Sequence, residues 1–258
     1  MKGETVEQGF RSFVTGLYGD EGRAWIAGLP AVLDELATRW RLELGPELPG
    51  GLLACVLAAR RADGTDAVLK VSAWHRTGHE IAALRAWAGR GAPALFEADV
   101  ELKALLLERI EPGRLPSRAD APQVATVLST LHVQPSFDLP TLTETVRNRI
   151  DTAVRDGRAS QQKASWAHAK AVELERNASP SVLLHGDFDE RNLLVCDRRG
   201  LCAIDPLPCA GDAAYDAAYW VHGNRAPGRR ARLDAIVAAT GLERARVRDW
   251  AAIVGVHG

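Results

Sequence analysis

The chain has almost no excess of charge of either sign and no long hydrophobic run. Its 258 residues carry 32 basic and 33 acidic side chains, which gives a formal net charge of -1. Without a strong positive field, we expect no nucleic-acid partner. The longest apolar runs include 52–59 and 104–107, far fewer than the roughly 20 residues that span a bilayer. Met1–Glu4 does not resemble a signal peptide, so we expect a cytoplasmic protein without membrane contact.

Cysteine is also scarce, and its spacing excludes common cysteine sites. The four cysteines are Cys55, Cys196, Cys202 and Cys209. None forms a Cys-x-x-Cys pair, and the seven histidines are scattered without ligand spacing to a cysteine. We therefore predict four reduced thiols and no zinc site. Cys196 and Cys202 are offset by about one residue on facing strands, which predicts opposite faces of the sheet.

The most informative pattern runs from His185-Gly186-Asp187 through Asn192 to Ile204-Asp205. It matches the catalytic loop of kinases with Gly186 in place of the usual Arg. Asp187 is the predicted base that orients and deprotonates a hydroxyl. Asn192 and Asp205 are the predicted ligands of Mg²⁺, a hard ion that prefers oxygen atoms. The alternative is a polar turn in which Asp187 caps a helix or a turn.

The sequence around this pattern predicts a β-hairpin. Residues 193–196 and 201–204 are short apolar runs, and Asp197-Arg198-Arg199-Gly200 joins them with residues typical of a turn. Such a hairpin returns Asp205 to the end at which Asn192 lies. The three polar side chains are therefore expected to meet.

Further upstream, residues 66–72 predict an apolar strand that carries Lys70 at its inner end, and Glu80 follows ten residues later at the start of a helix. This order predicts an ion pair that aims the lysine at ATP phosphates. A snorkelling lysine and a first-turn glutamate are the ordinary alternative. No Gly-x-x-x-x-Gly-Lys-Ser/Thr motif is present, so a P-loop enzyme is disfavoured.

Two more segments are candidates for nucleotide binding. The loop 45–51 stands where a phosphate-covering loop is expected, and its Gly50 and Gly51 are the residues best suited to approach phosphate. Arg109, Ile110 and Glu111 form the predicted hinge, where adenine is recognised by backbone groups. A plain linker is the alternative reading of the hinge.

Hydrophobic periodicity predicts an α+β fold with two lobes. We expect an N-terminal helical extension over 1–40, divided into two helices or kinked at Pro30, and a β-rich N-lobe with one helix over 41–110. The hinge follows at 111–113, and 114–258 forms a larger, mainly helical C-lobe. The last helix stops with its apolar pattern unfinished, which predicts a chain that is cut short or a reorganised helix.

These residues resemble the aminoglycoside and hydroxyurea phosphotransferases, and more closely the streptomycin 6-kinase branch. The resemblance covers most of the chain and is carried by Glu21–Pro30, Arg61–Gly64, Leu69-Lys70, Leu105–Arg109, Leu184–Asp187, Ala203–Pro206, Gly211-Asp212 and Tyr215-Asp216. It implies a protein-kinase-like fold and transfer of the ATP γ-phosphate, with Mg²⁺, to a hydroxyl of an antibiotic. By the same resemblance Lys70 binds phosphate, and Asp216 braces the catalytic loop.

The implied acceptor is a cationic aminoglycoside such as streptomycin. We expect the enzyme to be a monomer. Asp189, Glu190 and Asp212 could supply the carboxylates that such a substrate needs. Two alternatives stay open: a kinase of another small hydroxyl compound, for example hydroxyurea, and a non-catalytic nucleotide-binding protein. The choice between ATP and GTP is also open. A protein kinase is disfavoured, because only ten residues separate Asp205 from Asp216 and leave no room for an activation segment.

Overall fold

The computed structural model describes residues 8–49, 53–73, 77–117, 119–177, 180–223 and 228–257. The chain forms two compact units. The first runs to Ala88 and takes in Pro93–Arg109, and the second combines Gly89–Ala92 with the chain from Ile110 onwards. The chain thus enters the second unit at Ile110, just before the segment 111–113 predicted as a hinge.

The first unit is a five-stranded antiparallel sheet with two helices. Its strand order is β1-β2-β3-β5-β4. The elements in chain order are helix α1 (Gln8–Trp40), strands β1 (Leu42–Glu47), β2 (Ala54–Arg61) and β3 (Asp66–Ser72), helix α2 (Thr77–Trp87), and strands β4 (Leu95–Asp99) and β5 (Ala104–Glu108).

The N-terminal helix belongs to the first unit and is not a separate extension. Leu29 and Leu36 of α1 share one buried core with Leu69 and other apolar residues of the sheet. The division into two helices at Pro30 is wrong, because helix α1 continues through that residue. The helix is interrupted at Gly19, whose φ of 56° lies in the left-handed region that glycine tolerates.

Strand β1 is longer than the sequence predicts. It extends through Pro46 to Glu47, and its pairing with β2 shifts in register between Leu44 and Glu47. A proline is tolerated there because β1 is an edge strand, in which one side of the backbone needs no ladder partner. Part of the predicted phosphate loop 45–51 is therefore strand, while Gly50 and Gly51 lie outside the described residues.

The second unit is mainly helical, with four short strands in two antiparallel pairs among its described residues. Strand β6 (Val182–Leu184) pairs with β9 (Cys209–Gly211), and β7 (Leu193–Cys196) pairs with β8 (Gly200–Ala203). The helices are α3 (Ala121–Leu131), α4 (Leu142–Arg155), α5 (Gln161–Arg176), α6 (Ala214–His222), α7 (Arg229–Thr240) and α8 (Arg244–His257).

Polar side chains cap helices of the second unit, and aromatic side chains pack between two of these helices. Asp120 caps α3, and its carboxylate accepts a hydrogen bond from the backbone N–H of Gln123 at 2.9 Å. Thr141 caps α4 in the same way. Tyr215 of α6 packs edge-on against Trp250 of α8, with the ring centroids 5.3 Å apart.

In the part of the chain that is described, no helix combines the length and apolar character needed to cross a bilayer.

All four cysteines are buried free thiols. The prediction that Cys196 and Cys202 lie on opposite faces is wrong. Cys202 pairs with Leu194, two residues before Cys196, so the two thiols share a face and pack with Leu194 and Ile110. An offset of two residues preserves the side-chain direction in a strand, whereas an offset of one reverses it.

Candidate active site

Lys70 and Glu80 form a buried ion pair in the first unit, as the sequence predicts. Leu69 packs in the core beside α1, so the alternation of β3 turns Lys70 to the opposite face of the sheet. There Lys70 Nζ lies 2.7 Å from Glu80 Oε1 of helix α2, and the two side chains are only 11% and 9% exposed. A pair this well shielded from water fixes the lysine in one position.

Two residues of the predicted hinge make defined contacts, Ile110 through its side chain and Glu111 through its backbone. Ile110 is buried and packs against Cys196 and Cys202. The carbonyl oxygen of Glu111 accepts a hydrogen bond from the backbone N–H of Asp197 at 2.9 Å. Arg109 is the last residue of the first unit, directly after β5. The hinge at 109–111 therefore stays a prediction for adenine recognition.

The predicted catalytic loop follows strand β6 and is braced by Asp216 of α6. The fully buried Asp216 carboxylate accepts hydrogen bonds from the backbone N–H groups of His185, at 2.8 Å, and Gly186, at 2.9 Å. His132 Nε2 lies 3.0 Å from the same carboxylate. Burial alone would raise the pKa of Asp216, but the hydrogen bond and charge of His132 and the donors of the loop lower it.

His185 fills the space behind the loop rather than facing outward. Its ring is completely buried and lies edge-on to Phe188, with centroids 5.6 Å apart. Its Nε2 lies 3.0 Å from the carbonyl oxygen of Ile204, the residue before Asp205. Burial lowers the pKa of His185, which favours the neutral imidazole. The ring connects the loop to the hairpin through its contact with Ile204.

Asp187 and Asn192 are joined by their side chains. Asn192 Nδ2 donates to Asp187 Oδ2 at 3.0 Å and to the Asp187 carbonyl oxygen at 2.9 Å. The Asp187 side chain is 35% exposed, which makes its carboxylate accessible to a solute. A short 3-10 turn over Glu190–Asn192 positions the asparagine at the start of β7. The structure thus brings these two predicted residues together.

The β7–β8 hairpin returns the chain from Asn192 to Asp205. Leu193 pairs with Ala203, and the N–H of Ile204 donates to the Asn192 carbonyl oxygen at 2.8 Å. Asp205 follows with a φ of 56°, in the left-handed region that non-glycine residues rarely adopt. Such backbone strain is concentrated at functional sites. The hairpin therefore places both candidate metal ligands at one end, as predicted.

Arg149 of helix α4 is a site residue that the motif analysis missed. Its Nη1 lies 3.1 Å from Asp187 Oδ1, and its Nη2 donates to the Gly186 carbonyl oxygen at 2.9 Å. The guanidinium also donates to the Tyr219 hydroxyl and lies over the Tyr219 ring, 5.1 Å from its centroid. Burial would lower the pKa of Arg149, but the nearby acidic groups raise it, so the side chain stays charged.

The three acids proposed for a cationic substrate are placed differently. Asp189 caps the 3-10 turn and pairs with Arg191 at 2.9 Å. Glu190 is buried against Arg232 of α7, at 2.5 Å. Asp212 is buried as well. Internal partners already satisfy the charges of Glu190 and Asp212, so neither acid is assigned to a substrate site.

The internal partners of Asp212 come from helix α8. Arg246 Nε and Trp250 Nε1 each lie 2.6 Å from Asp212 Oδ2. Its Oδ1 accepts from the backbone N–H of Ala214, the first residue of α6, at 3.0 Å. The aspartate therefore links α6 to α8 within the helical unit.

The fold compares well with solved kinases of small molecules. A choline/ethanolamine kinase family protein from Mesorhizobium loti superposes with a TM-score of 0.63 over 87% of this chain and 83% of its own, at 17% identity. An antiparallel sheet in the first unit and a mainly helical second unit agree with the protein-kinase-like fold of such small-molecule kinases.

The sequence comparisons narrow this class to one family. A streptomycin 6-kinase from Streptomyces griseus is 32% identical over 255 residues, covering 90% of this chain and 82% of that protein. A hydroxyurea phosphotransferase from Kitasatospora aureofaciens is 34% identical over 246 residues, covering 90% and 72%. The profile of the aminoglycoside/hydroxyurea antibiotic resistance kinases matches residues 39–258, and the chain belongs to that family. It is an ATP-dependent phosphotransferase.

Proposed function

We propose that this enzyme transfers the γ-phosphate of ATP to a hydroxyl of a streptomycin-like aminoglycoside and so inactivates the antibiotic. The observation that carries the proposal is the Asp187 carboxylate, held by Asn192 at 3.0 Å and left partly open to solvent. The streptomycin 6-kinase relative supplies the substrate class.

In this reaction Asp187 positions the acceptor. One carboxylate oxygen accepts the hydrogen of the substrate hydroxyl and takes the proton as the new O–P bond forms. The bond from the γ-phosphorus to the β-phosphate oxygen breaks, and its electron pair leaves with ADP. Because the transition state is loose, the main task of the aspartate is to align the hydroxyl.

The oxygen donors of Asn192 and Asp205 fit a Mg²⁺ ion. The Asn192 amide nitrogen is engaged by Asp187, and its carbonyl oxygen is the part of that side chain able to bind a cation. Asp205 adds a carboxylate from the same end of the hairpin. When bound, Mg²⁺ neutralises charge on the phosphate oxygens. Hard oxygen ligands of this kind match the ion's preference.

Lys70 is the proposed phosphate contact. Its ammonium has three donors, and Glu80 takes one of them at 2.7 Å. The carboxylate of Glu80 also partners the ammonium in its buried position. Backbone groups of 109–111 are the proposed contacts for the nucleotide base, and Gly50 and Gly51 are the proposed contacts for phosphate.

Hydroxyurea is a second candidate acceptor, and the charges near the loop favour it. Streptomycin carries strongly basic guanidinium groups that call for carboxylates. Among the described residues of the loop, Glu190 and Asp212 are paired internally, and Arg149 adds positive charge beside Asp187. A small neutral acceptor such as hydroxyurea needs no acidic side chains in its binding site. The hydroxyurea phosphotransferase relative is consistent with this choice.

The deciding experiment measures ADP release with each acceptor in parallel. Purified enzyme receives ATP and Mg²⁺ with streptomycin, with hydroxyurea, or with no acceptor, and the products are examined by mass spectrometry for an added phosphate. ADP release that depends on streptomycin supports the first candidate, and release that depends on hydroxyurea supports the second. If neither acceptor raises ADP release above the blank, both candidate substrates are ruled out.

A further inference from the structure

We propose that Arg149 is a positioning residue that holds the carboxylate of Asp187 in the orientation needed for proton transfer. This inference rests on the proposed function, because it assigns Asp187 as the base. No part of the catalytic-loop pattern contains Arg149, which lies 38 residues before Asp187 on helix α4.

The Asp187 carboxylate is held from both sides. Arg149 Nη1 contacts Oδ1 at 3.1 Å, and Asn192 Nδ2 contacts Oδ2 at 3.0 Å. A single donor would leave the carboxylate free to rotate about its Cβ–Cγ bond, whereas two donors on different oxygens fix its plane. Each oxygen keeps a second lone pair, so one can still accept a hydrogen bond from the substrate hydroxyl.

Arg149 is itself rigidly anchored, which is what a positioning residue requires. Its Nη2 donates to the Gly186 carbonyl oxygen at 2.9 Å, and its Nη1 also donates to the Tyr219 hydroxyl. The planar guanidinium lies over the Tyr219 ring. Helix α4, the catalytic loop and helix α6 therefore converge on one side chain. A lysine in this place would keep the charge but lose the planar fork.

The chain offers a closely matched control. Arg246 also bonds one carboxylate, that of Asp212, and one backbone carbonyl, that of Leu174. Its side chain is 16% exposed, compared with 19% for Arg149. Both arginines lie in the helical unit, and Arg246 contacts no proposed catalytic residue. The variant Arg246→Ala therefore reports the effect of lost stability while the contacts that position Asp187 are kept.

The test compares Arg149→Ala, Arg149→Lys and Arg246→Ala by steady-state kinetics with the better acceptor. We expect kcat to fall ~10²-fold in Arg149→Ala, with the KM values for ATP and acceptor close to wild type, because misplacement of the base affects the chemical step. Arg149→Lys should recover part of the loss. Dilute guanidinium chloride should raise kcat of Arg149→Ala and leave Arg246→Ala unchanged. Wild-type kcat in Arg149→Ala, or a loss matched by Arg246→Ala without guanidinium rescue, overturns the proposal.

A second measurement does not depend on turnover and separates this inference from the proposed function. Melting temperatures are compared for wild type, Arg149→Ala, Asp187→Ala and the double variant. If Arg149 holds Asp187, the two single shifts sum to more than the shift of the double variant. Additive shifts overturn the positioning role. Failure of the wild-type enzyme to release ADP with any acceptor counts against the proposed function, while this comparison still decides whether Arg149 holds Asp187.

Discussion

The carboxylate of Asp216 accepts hydrogen bonds from two consecutive backbone N–H groups, and the second belongs to Gly186. This contact requires the peptide to turn sharply at Gly186, where φ is +76°. A Cβ atom at this position would lie 2.0 Å from the carbonyl oxygen of Leu207. The glycine in the loop is therefore a steric requirement of this fold.

We predict that Gly186→Ala destabilises the protein by at least ~2 kcal/mol, because backbone displacement adds to the cost of a left-handed residue. Gly200→Ala is the control. Its φ of +77° is nearly the same, but nothing lies within 4 Å of its added Cβ. Only the cost of the left-handed backbone conformation, about 1 kcal/mol, is therefore expected. Urea unfolding of both variants measures the difference. Equal losses would show that the Leu207 contact relaxes freely.

Asp187→Asn should lower kcat by at least ~10²-fold, about 3 kcal/mol of barrier, because an amide cannot accept the hydroxyl proton. Nucleotide binding, followed by thermal stabilisation with ATP, should be largely kept. Asp197→Asn, at an exposed position in the hairpin turn, serves as the control and should turn over normally. Near-normal turnover in Asp187→Asn removes the assignment of the base.

Lys70→Met should lower kcat/KM for ATP by ~10²-fold through loss of the phosphate contact. Because the change removes the buried ion pair with Glu80, the variant is also expected to melt at a lower temperature. Assays at a temperature where circular dichroism shows a folded protein separate the two effects. Lys103→Met is the control, since Lys103 lies in the same unit and, among the described residues, its ammonium contacts the Ala73 carbonyl oxygen, at 3.5 Å. Equal kinetics in both variants would contradict the phosphate role.

Asp205→Asn should raise the Mg²⁺ concentration needed for half-maximal rate by at least ~10-fold, because a charged oxygen ligand is lost. Asparagine is one of the few residues that tolerate the left-handed φ of 56° at this position, so the backbone is expected to survive the change. Initial rates over a Mg²⁺ series at fixed ATP provide the measurement. A Mg²⁺ dependence equal to that of wild type would argue that Asp205 does not bind the ion.

His257 should make the protein less stable in mild acid. Burial, followed by the charges of Arg149, His222 and Arg158, lowers the pKa of His257 to about 3. Below the unfolded pKa of about 6.5, the unfolded chain binds a proton that the folded chain does not. The free energy of unfolding therefore falls as pH drops from 6.5 towards 3, by about 1 kcal/mol per pH unit for a single group.

Urea unfolding of wild type and His257→Gln over this range checks the slope. The variant should lose stability more slowly as pH falls, and an identical slope would contradict the prediction. Asp216 does not obscure the test above pH 3.8. Its pKa is lowered, so its contribution is present above the unfolded value of 3.8 and is lost only at lower pH.

Local patterns predicted much of the site because each depends on short-range geometry. The bounds 66–72 of β3, the Lys70–Glu80 pair and the return of the hairpin from Asn192 to Asp205 follow from strand alternation and turn residues. The helix is not divided at Pro30, because burial of the apolar face of α1 outweighs one missing hydrogen bond.

The contacts that depend on tertiary packing could not be read from such patterns. Arg149 bonds a loop 38 residues away, and no local rule specifies that distance. One clue was available in the sequence. Arg149 stands three residues after Val146 and seven after Leu142, on the buried face of an amphipathic helix. A charged residue at an inward position usually has a specific partner.

The buried thiols have a practical consequence for experiments on this enzyme. Burial raises the pKa of both Cys55 and Cys209 to about 12, so neither forms the thiolate that alkylating reagents attack at neutral pH. Cys196 and Cys202 are shielded in the hairpin core. A fluorophore attached through a single cysteine engineered onto the surface should thus label one position cleanly, without first mutating the native sulfhydryls.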